Sequence, residues 1–351
     1  MTVDREFFEK TGMGGPAVPA PFPIFDTSAS QLEMWSRCDR RFYYRYVQGF
    51  VPISVPENMV WGTFWHRIIQ EYYRAIQKGL REDTALHAAQ LIAEQCTLVE
   101  NKLHGGTQVH FDAEKRERIW DTIRYYYDQV ARMDDWDEIV AVEESIYFVV
   151  GYQGNPVMRI RSTMDLVARK DGRLCPVDHK TTGDVQKSLA FLAMDLQVKI
   201  YMLTAFAFYE QDPYFCYNMV ARDVPPGFGH RSLLTETGRK RSPETLEKMQ
   251  RPENYLHREW ISKSEREYGA IQRDLVKKAL MIHFAGNSGM WERRIVKMGG
   301  MSCETCPYFA ICAAEFEGQK FDENSPAITM MFTKDPFVAG GEAPKPTLYT
   351  A

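Results

Sequence analysis

RIRSTMDLVARKDGRLCPVDHKTT, residues Arg159 to Thr182, is the stretch whose reading decides the fold. Two apolar runs flank Asp171-Gly172, and Asp-Gly between such runs predicts a two-residue hairpin, because glycine and, less readily, aspartate accept a positive φ. With that loop, Leu166 faces Val177 and Asp165 faces Asp178. The latter is expected to be a non-hydrogen-bonded pair, with Cβ atoms roughly 4.5–5.5 Å apart. Two carboxylates that close repel unless a proton or cation lies between them. Alternation adds Lys180 to the face of Asp178 and turns Met164, Leu166, Val177 and the His179 side chain to the other. Pro176 fits this register because its missing N–H would point away from the partner strand.

The whole chain bounds the answer. Its 351 residues, 44% of them hydrophobic, suffice for one large domain or two small ones. A net charge of −4 excludes a broadly basic coat, so any contact with DNA must be local. No apolar run is long enough to span a membrane and the first ten residues lack a signal-peptide core, which predicts a soluble, cytoplasmic protein, bacterial or, if viral, in its host's cytoplasm. Seven cysteines, an odd number, argue against a disulfide framework and for thiol or metal chemistry. There is no P-loop motif.

Outward from the hairpin, Ile139 to Tyr152 reads as a third strand of a meander, joined through Gly154-Asn155. Ser188 to Tyr209 reads as one helix, with Gln197 and Tyr201 four apart on a shared face. Strands are expected at Tyr214–Ala221 and Tyr255–Trp260, with an irregular loop over Asp223–Arg251 and a helix at Ser264–Phe284. Upstream, Ser30-x-x-Glu33 reads as a capping box opening a helix to about Tyr46, and further helices fall at Trp61–Lys78, Asp83–Val99 and Ala113–Met133. The two helices last named are separated by a break at His104-Gly105-Gly106. Gly and Pro density makes residues 1–25 a flexible arm, and residues 319–351 read as an extended tail. The intervening 26–318 is expected to be a single domain.

Cys303, Cys306 and Cys312 form a C-x2-C-x5-C run, and Cys38 is the best upstream candidate for a fourth thiolate. Three clustered cysteines plus one distant match an iron–sulfur cluster better than the paired knuckles of a zinc ribbon, with zinc the alternative. Cys96, Cys175 and Cys216 lie inside apolar patterns and read as core thiols.

Taken in order, Ser28-Ala29-Ser30 through Cys38 with Phe42-Tyr43-Tyr44, Gly62-x3-His66, Asp165, Asp178-His179-Lys180 with Thr181-Thr182, Gln197-x3-Tyr201 and the cysteine triplet resemble the RecB-like branch of the PD-(D/E)XK nucleases. The likeness is to its iron–sulfur members, the CRISPR-associated exonucleases and the AddB-type helicase–nuclease subunit. Each piece is weak alone, but six in the family's order over residues 28–316 make the match specific. The resemblance implies an α/β core, a mixed central sheet flanked by helices, with helical insertions and a periphery stapled by a 4Fe–4S cluster on Cys38, Cys303, Cys306 and Cys312. It implies that His66, Asp165, Asp178 and the His179 backbone carbonyl bind Mg²⁺ or Mn²⁺, that Lys180 orients the attacking water, and that Gln197 and Tyr201 hold the scissile strand. Asp39 stands where the family commonly has proline, and Asp178 where many members have glutamate.

The chemistry is consistent with the residues themselves. Phosphodiester hydrolysis needs a cation that polarises phosphate and generates hydroxide, oxygen ligands suit Mg²⁺ or Mn²⁺, and a nearby ammonium stabilises the transition state. The leading expectation is a metal-dependent DNA exonuclease of recombination, repair or end processing, acting on single strands or free ends beside a helicase or recombinase. The alternatives are a non-catalytic DNA-binding scaffold and a branched-DNA endonuclease or RNA nuclease. Candidate phosphate contacts are the Arg37, Arg40, Arg41, Arg45 face and the Arg239-Lys240-Arg241 loop.

Overall fold

The computed structural model describes residues 24–53, 57–98, 101–103, 107–109, 113–131, 134–190, 192, 195–294, 303–319 and 322–335. Nearly all of the N-terminal arm, the break at residues 104–106, the Cys96 side chain and the chain after residue 335 lie outside what is described; two short strands, β3 (Asn101–Leu103) and β4 (Thr107–Val109), pair antiparallel on either side of that break.

The meander forms, its second turn at Asp171-Gly172 as expected and its first at Gln153-Gly154, one residue earlier than expected. Strands β5 (Glu138–Tyr152), β6 (Asn155–Lys170) and β7 (Arg173–Thr182) are consecutive and antiparallel. Both loops have two residues of positive φ, Gln153 and Gly154 at 50° and 78° and Asp171 and Gly172 at 52° and 71°. That geometry matches the right-handed twist of the strands it joins. β6 and β7 pair from Lys170↔Arg173 to Leu166↔Val177, the expected register.

Beyond Val177 the two strands part. β7 runs on beside β8 (Phe215–Ala221) in parallel, from Val177↔Cys216 to Thr182↔Ala221, and β8 pairs antiparallel with β9 (Leu256–Ile261). The edge of β6 that β7 abandons is taken up at Met158–Arg161 by a parallel strand, β1 (Phe25–Ser28). The order is β1-β6-β7-β8-β9 with β5 on the other edge of β6. A fork is left between β1 and the departing β7, and Asp165 and Asp178 stand at its mouth. The close cross-strand carboxylate pair expected from an unbroken ladder is therefore replaced by a splayed one.

Helices cover both faces of the sheet. One layer holds α1 (Ala29–Arg37), α7 (Leu196–Tyr209) and α9 (Glu265–Ser288); the other holds α3 (Glu57–Gln77), α4 (Glu82–Leu98) and α5 (Ala113–Gln129). Met158, Ile160, Met164 and Val167 pack toward the first layer, Leu166 and Ala168 toward the second. The period of two therefore resets at Asp165, and Met164 does not share a face with Leu166 as regular alternation would have it. β5 resets in step at Glu143, whose φ is 53°. Ile146, Phe148 and Val150 lie on the first side together with Ala141, while Val142 turns to the second.

Several helices are shorter than their periodicity suggests, because local side chains supply better termini. Ser28 and Gln31, not Ser30 and Glu33, form the capping box of α1. That helix stops at Cys38, which is extended (φ −163°, ψ 116°), before α2 (Asp39–Phe42) leads into a π-helical turn, Tyr43–Val47. The single helix expected from Ser188 is two: α6 (Val185–Leu189), capped by Asp184, and α7, where Asp195 accepts from the N–H groups of Gln197 and Val198. The supposed loop 223–251 contains α8 (Pro243–Met249), capped by Ser242.

The chain after residue 318 also differs from expectation. α10 (Phe309–Phe316) is followed by α11 (Pro326–Thr329) and by β10 (Phe332–Lys334), which pairs antiparallel with β2 (Phe50–Pro52). Ile328 and Phe332 join Tyr44, Phe50, Tyr308 and Ile311 in a small separate core. Residues 322–335 thus belong to a folded lobe rather than a tail.

Candidate active site

α3 crosses the sheet against the end of β7, where Thr181 Oγ1 lies 3.6 Å from the position a Cβ on Gly62 would take. One helical turn on, His66 comes down over the fork with Nδ1 3.3 Å from Asp165 Oδ2. Asp165 Oδ2 also accepts from the His179 N–H at 2.7 Å, filling with a side chain the space left where the ladder ends. Glu143 completes the group: ligand atoms of His66, Glu143 and Asp165 lie within 4.8 Å of one another. Among the described residues no other set of three histidine, cysteine or acidic ligands comes together in this way.

The second carboxylate belongs to an adjoining cluster. Asp178 is 1% exposed, and its Oδ2 has no hydrogen-bond partner, although Lys180 Nζ is 3.7 Å away. Gln197 ties the cluster together: its Oε1 accepts from Lys180 Nζ at 2.7 Å, and its Nε2 donates to Tyr201 Oη at 2.7 Å and to Asp178 Oδ1 at 3.4 Å. The cap at Asp195 makes this possible by starting α7 so that Gln197 and Tyr201, one turn apart, both face β7.

Charges in the fork are strongly interdependent. Burial raises the Asp178 pKa to about 6 against the lowering influence of Lys180, and the charge of Asp165 adds to the rise. Burial likewise raises Glu143 to about 7, with Asp165 again contributing. For Asp165 burial acts upward too, but the His66 charge and the His179 N–H outweigh it and the pKa is lowered. Burial opposes charge on His66, yet Asp165 and then Asp178 lift its pKa to about 9. Acidic neighbours similarly overcome burial at Lys180 and raise it. A concentration of partly protonated ligands around one buried, unpartnered carboxylate oxygen is what a cation would relieve, and the mixed oxygen and imidazole donors fit Mg²⁺ or Mn²⁺.

His179 serves the site through its backbone. Its ring is buried on the opposite side of the sheet, stacked on Tyr73, and Nδ1 accepts from Asn218 Nδ2 at 2.8 Å. Burial holds its pKa down to about 3, so the ring is neutral. Asn218 is in turn held by Arg258, which is paired with Asp134.

Glu143 is absent from the sequence-derived set. Its signal was a carboxylate interrupting an otherwise apolar alternation in β5, which reads equally well as an exposed strand position. Its left-handed backbone, which costs a residue with a Cβ on the order of 1 kcal/mol, is visible only in three dimensions.

The arginine face of α1, α2 and the π-helical turn is largely committed within the protein. Arg37 pairs with Glu33, Arg40 with Glu315 and Tyr44, and Arg45 with Asp335 at 3.0 Å. Arg41 has a buried Nε without a partner. In the other candidate loop Arg239 and Lys240 are exposed, and Arg241 donates to the Leu234 carbonyl. The cysteines converge from both ends of the described chain: charges on Cys38 and Cys303 act on Cys306, whose pKa burial raises, and Cys306 and Cys312 pack against the small core. Cys175 and Cys216 are buried in the main sheet, as expected of core thiols.

A mixed sheet forked around carboxylates, a histidine and a lysine defines a site suited to a divalent cation and a phosphate. A family model described as the PD-(D/E)XK nuclease superfamily matches residues 26–313, and the chain belongs to that superfamily, whose nucleases use divalent metals. No curated protein matches the chain. Among solved structures, it is similar to one from Eubacterium rectale described as a "putative exonuclease", at 8% identity and a TM-score of 0.39, over 85% of this chain and 96% of that one. The family assignment rests on the family match rather than on that likeness.

Proposed function

We propose that this protein is a divalent-metal-dependent deoxyribonuclease that works from DNA ends, as an exonuclease of recombination, repair or end processing beside a helicase or recombinase. The observation that carries the reading is the fork itself, where His66, Glu143 and Asp165 converge beside Asp178 and Lys180 in a chain of nuclease family. His66, Glu143, Asp165 and Asp178, with the His179 carbonyl, would hold Mg²⁺ or Mn²⁺, which when bound polarises the phosphate and lowers the pKa of water. Lys180, about a third exposed, is placed to orient the attacking water and to face the charge that develops on phosphate. Gln197 holds the Lys180 ammonium, and with Tyr201 lines the approach of the strand.

The reading extends to the lobe at the chain ends, where Cys38, Cys303, Cys306 and Cys312 are assigned to a 4Fe–4S cluster of the iron–sulfur branch. The break in helix at Cys38 and the packing of Cys306 and Cys312 against the same small core support it.

The test is a time course on end-labelled linear DNA beside covalently closed circles, with Mg²⁺ or Mn²⁺ and with chelator. Linear DNA is expected to be degraded, circles spared and chelated reactions silent. Efficient nicking of circles would replace the exonuclease with an endonuclease, and cleavage confined to RNA would overturn the DNA assignment.

A further inference from the structure

We infer that Arg118 and Arg222 form a phosphate-binding subsite beside the metal fork, holding a phosphate of the nucleic-acid strand next to the bond that is cut. The inference rests on the nuclease reading and adds residues that neither the motifs nor the metal set contains.

Arg222 directly follows β8, and its N–H donates to the Thr182 carbonyl at 2.9 Å, so it sits beside the last residue of β7. Its Nη2 lies 3.1 Å from where a Cβ on Gly183 would be; a side chain there would crowd the guanidinium, and glycine leaves it room. Arg118 reaches the same place from α5. Its charge acts on Arg222, and its guanidinium lies 5.7 Å from the ring centre of Trp61, the buried residue before Gly62 in α3. Two cations from separate elements are thus brought near each other at the end of β7, where Arg222 lies against Thr182 and Gly183.

Among the described residues no carboxylate comes within 4.0 Å of either guanidinium, whereas Arg40, Arg45, Arg231, Arg258 and Arg294 are each paired with an acid. Both are partly buried, and burial together with the charge of Arg118 lowers the Arg222 pKa. Like charges brought together out of bulk water, in a protein of net charge −4, call for a shared anion. Planar guanidinium groups match the oxygens of a phosphate.

The position fits a substrate strand. Gly62 is one turn before His66, about 6 Å along the helix axis. Thr182 is two residues beyond Lys180, about 7 Å along β7. The subsite therefore adjoins the fork along both α3 and β7. The ligand is either an internal phosphodiester or the terminal phosphate of a strand end.

The experiment uses the full chain without divalent metal, so that nothing is cut, and 3′-fluorescein single-stranded DNA 15-mers carrying a 5′-hydroxyl or a 5′-phosphate. Anisotropy is titrated across a salt series for the parent, Arg118→Gln, Arg222→Gln, the double variant and the two Arg→Lys variants. Each Gln substitution is expected to weaken binding about five- to tenfold and to reduce the log–log salt slope by about 0.7, with Lys restoring the slope. Preference for the phosphorylated probe that disappears in the Gln variants identifies a strand end; equal losses on both probes identify an internal phosphate. A double variant with parental affinity and slope overturns the subsite, as does a parent that binds neither probe. Cleavage assays on the same proteins separate this inference from the one beneath it. Arginine-dependent binding by a parent that cuts nothing would sink the nuclease reading and leave the subsite, whereas a double variant that binds and cuts like the parent would do the reverse.

Discussion

The fork and the cysteine lobe are held together by different means. The fork lies on β6 and β7, is roofed by α3 and is packed between two helical layers that share the sheet as their floor. Its carboxylates and Lys180 are placed by hydrogen-bonded strands close in sequence, and even the departure of β7 from β6 is sealed by Asp165 on the His179 N–H. Among the described residues the lobe has a core of six buried side chains, Tyr44, Phe50, Tyr308, Ile311, Ile328 and Phe332, drawn from both ends of the described chain. Ion pairs of Glu315 with Arg40 and Arg293, and of Arg45 with Asp335, supplement it. Closing so long a loop is costly in chain entropy, and so small a core offsets little of it. Precision in this molecule comes from the sheet, and a cross-link would matter most in the lobe.

The largest expected effect is chemical and confined to the fork. Lys180→Ala should lower the cleavage rate by about 10²–10³ while metal binding and melting temperature stay near those of the parent. A protonated lysine cannot ligate a cation, so its loss removes transition-state stabilisation and not the metal. Asp165→Ala should lose both metal and cleavage. Calorimetric titration of Mn²⁺ into both variants, beside their rates, separates the roles, and a Lys180→Ala protein that cuts at the parental rate would remove the fork from the chemistry.

A smaller effect is expected at Glu143. Glu143→Gln should weaken Mn²⁺ binding by about tenfold or more without unfolding the protein. The wild-type site should also release protons on binding. With Glu143 held up to about 7, Asp178 to about 6 and His66 to about 9, protons occupy the ligands at and below neutrality, and the cation must displace them. Apparent affinity is therefore expected to rise with pH through that range. Titration at pH 7 in two buffers of different ionisation heat counts the protons, and a count of zero would contradict this assignment of charges.

Least effect on chemistry, and most on stability, is expected in the lobe. Anaerobically purified protein should be brown, with about four iron atoms per chain. Cys306→Ser should lose the iron and several degrees of melting temperature, since tying Cys38 to the C-terminal cysteines closes a loop worth on the order of 4–5 kcal/mol in chain entropy. Its cleavage rate per folded molecule should stay within about twofold of the parent. One tight zinc and no iron would end the cluster assignment, and lost cleavage at an unchanged melting temperature would erase the contrast between the two regions.

The hairpin was legible at the level of single residues. Asp171-Gly172 imposes its turn, and a period of two then places Asp178 and Lys180 on one face and the His179 ring on the other, because strand geometry is local. Gln197 and Tyr201 were legible for the same reason, one turn apart on a helix. The partners of the N-terminal arginines were not legible, since a basic face looks the same whether it meets solvent or, as at Arg40 and Arg45, pairs with Glu315 and Asp335 from the far end of the described chain.

By itself, the sequence determined the β6–β7 hairpin and its register up to Val177, the succession of most helices and strands, and the residue types gathered at the candidate site. Only tertiary structure decided where β6 and β7 separate, that β1 takes the vacated edge, that Glu143 turns in opposite Asp165, that Cys38 interrupts a helix, and that Arg118 and Arg222 are brought near each other. Those outcomes depend on contacts between segments tens to hundreds of residues apart, and such contacts are selected by packing of the whole chain, which no local period or propensity encodes.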